Sequence, residues 1–204
     1  MMPPHDRGTN LALNHTTPLT VAHSMTPTAP GTAPTHTTIE QLNVLPQALF
    51  VALLGGVFEH SAWVAERVWV QRPFSSLPEL HSAMVQVVQT AAVAEQLTLL
   101  RAHPELAGRE AQLGELTAAS SQEQSRAGLN ALAPEEMARI VLLNATYLGR
   151  HGFPFIVCVG QHTKDSIFKE FAHRADNPTP FEIQQALAQV AEIARLRLGQ
   201  LLIN

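Results

Sequence analysis

Three side chains able to do acid–base or anion chemistry stand in separate parts of this sequence. His103 lies in Arg-Ala-His-Pro-Glu-Leu-Ala (101–107), Glu123 in Ser-Ser-Gln-Glu-Gln (120–124), and Arg197 near the C-terminus. An imidazole can carry protons near neutral pH, a carboxylate can orient or polarise a substrate, and a planar guanidinium can grip two oxygens of an anion at once. Each also has a plain structural explanation. His103 shares a helical face with Leu99 and Leu100, as a satisfied core histidine would, although its place at a helix end lets the ring project and lets the helix dipole favour its charged form. Glu123 fits a capping box with Ser120. Arg197 falls inside the apolar stripe Ile183, Leu187, Val190, Ala194 and Leu201, where an internal salt bridge or an anion site would each account for it.

The stretch Gly152-Phe153-Pro154-Phe155-Ile156-Val157 is apolar and stiff. It reads as a pocket wall offering backbone amides, or as a buried connector. His60, His81, His151, His162 and His173 show no pair on one helical turn with a third ligand nearby, so the spacing carries no zinc motif. Trp63 and Trp69 read as core, and Cys158 as a small buried apolar residue.

Composition narrows the class. The chain has 204 residues, 46% of them hydrophobic, enough for one domain with a real core. A net charge of −4 supplies no basic field for nucleic acid. One cysteine excludes an intramolecular disulfide and fits a reducing compartment. No apolar run approaches the roughly 18–20 residues of a membrane span. The N-terminus lacks a secretion signal and the C-terminus a peroxisomal address, so a cytoplasmic location is expected.

The elements that must position these residues are helical. Residues 1–38, rich in Thr, Pro and His, read as a disordered tail, with a histidine metal tract as the alternative. From residue 39 to 204 the pattern predicts one domain. Helices are expected over residues 41–54, 61–70, 76–90, 94–103, 120–128, 133–152, 163–174 and 179–202. Ser76, Thr163 and Thr179 serve as starting caps, and Pro104 stops the helix behind His103. Residues 153–159 form the one β-like run, and its proline argues against a central strand. The expected fold is all-α, a single compact bundle of about seven or eight helices.

Taken in order, several short motifs resemble one family. They are Gly56-Val57-Phe58-Glu59-His60-Ser61-Ala62-Trp63-Val64-Ala65, the segment 101–108, Leu116-Thr117, Ser120 to Gln124, and Ala127-Gly128-Leu129. Leu143-Asn144 with Tyr147, His151 to Ile156, and Ile193 to Leu198 complete the set. The chain from about residue 42 to 202 resembles the 2-oxo-4-hydroxy-4-carboxy-5-ureidoimidazoline (OHCU) decarboxylases, which form (S)-allantoin in urate breakdown. The resemblance implies an all-helical enzyme without cofactor or metal, usually a homodimer, with a functional link to uricase and hydroxyisourate hydrolase.

By motif, His103 resembles the acid/base residue with Pro104 beside it. Ser120, Glu123 and Gln124 resemble substrate-binding or catalytic partners, and Phe155 and Ile156 would offer backbone groups. Arg197 resembles the substrate arginine. The implied chemistry loses carbon dioxide from a carbon beside a ring carbonyl, which takes up the electrons as an enolate. No pyridoxal or thiamine is then needed. A catalytically inactive interaction module on the same scaffold, and a histidine-based metal hydrolase, are the competing expectations.

Overall fold

A computed structural model describes residues 37–203. The expected tail, 1–38, lies outside these residues except at its end, where the expectation is corrected. Thr37–Thr38 (β1) pairs in parallel with Leu202–Ile203 (β2). Thr38 also caps the first helix, accepting the Gln41 N–H at 3.2 Å while its own N–H donates to Gln41 Oε1 at 3.0 Å. The domain therefore begins before residue 39.

Ten α-helices follow among the described residues, more than the seven or eight expected. The expected helix 41–54 is two, α1 (Ile39–Asn43) and α2 (Gln47–Leu54), because Pro46 has no N–H to give and disfavours helix at Leu45. Next come α3 (Trp63–Trp69), α4 (Leu77–Gln89) and α5 (Val93–Arg101). The five-residue α6 (Arg109–Leu113) is too short to show a periodicity. Then follow α7 (Ala118–Arg126), α8 (Pro134–His151), α9 (Lys164–Arg174) and α10 (Thr179–Leu201). Among the described residues, no single helix is long and apolar enough to cross a membrane.

The bundle is built round α10, which packs against α4, α5 and α8. Its Val190, Ala194 and Leu198 are buried in the main core. One part of this same core is aromatic. Phe155 stacks on Phe171 with ring centroids 4.0 Å apart, and Tyr147 meets Phe153, Phe155 and Phe171 edge-on. Gly152 ends α8 in a left-handed conformation, φ 76°, which a residue with a Cβ rarely adopts. The chain then leaves the helix as an extended strap, residues 153–158, belonging to no sheet. That strap forms one wall of the site.

Candidate active site

A cleft between α7, α10, the strap and the loop after α5 is lined by His103, Pro104, Ser120, Glu123, Gln124, Phe155, Ile156 and Arg197. All eight residues singled out in the sequence thus meet at one place. The cleft contains about 360 Å³ of unfilled space, its open mouth included. Its floor is apolar, with Leu106, Val157, Val159 and Ile193 beside the polar groups.

His103 follows the end of α5, and Pro104 prevents the helix from continuing over it. Its Nδ1 lies 2.9 Å from the Leu99 carbonyl. A carbonyl only accepts, so Nδ1 carries the proton and Nε2 presents a lone pair. Buried Nε2 has no hydrogen-bond partner among the described residues. Burial is the main force on this ring and brings its pKa down to about 4. The Leu99 carbonyl and Glu59 oppose the shift, while Arg197 and His60 add to it. The dipole's pull toward the charged form, expected at a helix end, is outweighed by desolvation, and the ring is neutral near pH 7.

Helix α7 starts earlier than expected. Thr117, not Ser120, caps it, its hydroxyl accepting the Ser120 N–H at 3.2 Å. Ser120 is thereby freed and buried. Its hydroxyl donates to Glu59 Oε2 at 2.9 Å and accepts from Arg197 Nη2 at 3.1 Å. Glu123 is moved beyond the first turn and takes no part in a capping box. Its carboxylate meets Arg197 as a fork, Oε1 to Nε at 2.7 Å and Oε2 to Nη2 at 2.8 Å.

Arg197 has further partners. Nη1 donates to Glu59 Oε2 at 2.8 Å and to the Gly56 carbonyl at 3.3 Å. Together with Glu123 and Ser120 these occupy all five guanidinium N–H groups. The arginine on the apolar stripe is thus an internal ion pair and a lining group of the cleft at once. A carboxylate arriving in the cleft can reach the fork only where Glu123 gives way. Glu123 is the partner placed to do so, because its side chain is 23% exposed whereas that of Glu59 is 1% exposed.

Gln124 turns out to serve the loop behind His103. Its Oε1 accepts the Ala107 N–H at 2.8 Å, and its amide donates to the Glu105 carbonyl at 3.4 Å. Ala107 has a left-handed backbone, φ 48°, so this loop is held in a conformation that costs energy for a non-glycine residue. Asn144 on α8 holds the same loop, donating to the Leu106 carbonyl at 3.0 Å.

Glu59 is the partner of Arg197 and Ser120 that the spacing did not reveal. It lies between α2 and α3, buried, and takes hydrogen bonds from Thr117 (2.7 Å), Ser120 and Arg197. Burial pushes its carboxyl up, but the Arg197 charge and these three donors win and hold it below the usual range. The available signal was an acid set directly after the apolar pair Val57-Phe58. For a metal, no group of three or more His, Cys, Asp or Glu gathers in binding geometry among the described residues.

Residues 43–199 match the family model for OHCU decarboxylase. The chain belongs to the OHCU decarboxylase family. It is 41% identical over 169 residues to an OHCU decarboxylase of Halalkalicoccus jeotgali, covering 83% of this chain and 94% of that protein. A putative human OHCU decarboxylase is 40% identical, covering 80% and 95%. A uric acid degradation bifunctional protein of a Bacillus species is also 40% identical, and there the match spans 80% of this chain but only 32% of the longer protein.

Among solved structures, an (S)-allantoin synthase superposes with a TM-score of 0.66 at 29% identity, covering 81% of this chain and 54% of that one. An OHCU decarboxylase crystallised with (S)-allantoin shares the fold, with a TM-score of 0.58 at 18% identity over 76% and 96% of the two chains.

Proposed function

We propose that this chain is a carboxy-lyase that converts OHCU to (S)-allantoin in urate breakdown, with its chemistry in the cleft just described. The observation that carries this reading is the meeting of an imidazole, a carboxylate and a guanidinium around one cleft, in a member of this family.

The substrate's name defines the electron flow. C2 is a carbonyl and C4 is tetrahedral, bearing both hydroxyl and carboxylate. The one ring double bond must then be C5=N1, with the ureido group on C5. As the C4–carboxylate bond breaks, its electron pair forms C4=C5, and the C5=N1 π pair moves to N1, which takes a proton from the medium. Carbon dioxide leaves. The C4 hydroxyl then loses its proton to become a carbonyl, and C5 gains one. The sink is this C=N bond, not the ring carbonyl expected above, and as drawn the sequence consumes one proton and requires no pyridoxal or thiamine.

His103 suits the second stage. Its Nε2 lone pair accepts the C4 hydroxyl proton and returns it to C5 from one side, giving a single enantiomer. Such proton transfer is typically worth about 10²–10⁴-fold. Arg197 receives the carboxylate as Glu123 releases it, and Glu123 is then free to hold ureido or ring N–H groups. Pro104 and Ser120 complete the lining beside them, with Phe155 and Ile156 offering backbone on the opposite wall.

We also propose a homodimer and a cytoplasmic location. The exposed apolar residues Val141, Leu142 and Leu148 on α8 supply a surface for a second copy. The urate-degradation name of the Bacillus relative supports a functional link to uricase and hydroxyisourate hydrolase.

The test supplies substrate from uricase and the hydrolase and follows circular dichroism. Rapid formation of one allantoin enantiomer is expected. Decay no faster than without the protein would overturn the reading and favour the inactive module.

A further inference from the structure

A second buried charged cluster lies directly behind the cleft wall. Arg174, in the last turn of α9, is 5% exposed, and Glu182 on α10 is fully buried. Arg174 Nε donates to Glu182 Oε1 at 2.8 Å, and Nη2 donates to the same oxygen. Glu182 also accepts from the Tyr147 hydroxyl and, at 2.7 Å, from the Asn177 amide. The remaining nitrogen of Arg174, Nη1, turns toward the strap and donates to the Ile156 carbonyl at 2.8 Å. Its guanidinium carbon lies 4.7 Å from the centre of the Phe155 ring.

Stability alone does not account for this arrangement. Taking both charges out of water costs several kcal/mol each, and replacing such a pair with apolar side chains of similar volume is often neutral or stabilising. What an apolar pair cannot do is bond a carbonyl in a segment that has no regular structure. No strand among the described residues lies beside residues 153–157. Among the described residues, the bond from Arg174 is the one hydrogen bond made to their backbone. Phe155 and Ile156, the two strap residues that Arg174 touches, are also the two proposed to face the substrate.

We propose that Arg174 is a positioning residue for the decarboxylation. By fixing the Ile156 carbonyl and the Phe155 ring, it sets the wall against which the substrate ring lies, and so the distance from C5 to His103 and the face of C5 that is protonated. This rests on the function proposed above. Displacements of about 1 Å in such supports can cost on the order of a hundred-fold in rate.

The test uses two variants of the full chain. Arg174→Met combined with Glu182→Gln keeps the volume, leaves no unpaired buried charge, and still gives Tyr147 and Asn177 an acceptor. In Arg174→Lys the single ammonium can hold Glu182 or Ile156 but cannot span both. Thermal unfolding identifies which variants fold, and each folded one is assayed for kcat, KM and the enantiomer ratio of the allantoin formed. We expect kcat to fall about ten- to a hundred-fold and the enantiomer excess to drop. A merely structural role would lower the unfolding temperature and leave kcat per folded molecule and the enantiomer ratio unchanged, which would overturn the proposal. Arg174→Lys decides the matter if the double variant does not fold. A wild-type protein that makes no allantoin would instead overturn the proposed function.

Discussion

Among the described residues, two arginines are buried against carboxylates, and they are built differently. Around Arg174 there is one acid, Glu182, and both members are closed off from solvent, with Tyr147, Asn177 and Ile156 completing the partners. Around Arg197 there are two acids for one base. Glu59 is sealed, whereas Glu123 reaches the cleft and is partly exposed. The first cluster has no partner to exchange, which suits holding a backbone in place. The second carries an excess acid on an accessible arm, which suits trading that arm for an incoming anion. Burial and ion pairing alone do not distinguish a support from a working group; the count of partners and the exposure of one of them do.

This contrast can be broken by removing one member at a time. The largest stability loss should come from Arg174→Ala, which strands Glu182 with no route to water. We expect about 3–5 kcal/mol, read as a shift of the urea midpoint. A loss below about 1 kcal/mol would show that the closed cluster is not closed.

Acid should come next. The His103 pKa is brought down to about 4 from 6.5, so the unfolded chain binds the proton more readily. Stability is then fully present above pH 6.5 and is lost as the pH falls from 6.5 toward 4. The loss amounts to roughly 3 kcal/mol at most. Glu59, held below its usual range, adds a further loss at still lower pH. His103→Asn should flatten the upper part of that curve, and an unchanged slope would remove the argument from burial.

The smallest stability effect should belong to Glu123→Gln, within about 1 kcal/mol, because its carboxylate is partly in water and Arg197 keeps Glu59. Activity should nevertheless drop in this variant. A stability loss as large as that of Arg174→Ala would erase the difference between the clusters.

Much of this was legible in the residues. Ser76 and Thr163 cap the helices they were expected to cap, and Pro134 opens α8. Arg197 announced itself as a charge on an apolar stripe. Other features depended on contacts that a linear pattern does not contain. Thr117 and Ser120 are hydroxyls three residues apart, and either could cap α7; the choice follows from Ser120 meeting Glu59 and Arg197. Glu182 stood three residues after Thr179 like a capping acid, yet Pro178 occupies the cap position and Glu182 turns inward to Arg174. The neutral state of His103 depends on how deeply the fold buries it, and helix-end position alone pointed the other way.

The central claim is that His103 moves the proton that makes allantoin in this cleft. Its most direct test is the initial rate of dichroic allantoin formation from freshly generated substrate, with wild type and His103→Asn compared at equal folded concentration. The account predicts one enantiomer from the wild type and a rate about 10²–10⁴-fold lower from the variant. A folded His103→Asn protein working at the wild-type rate would contradict it.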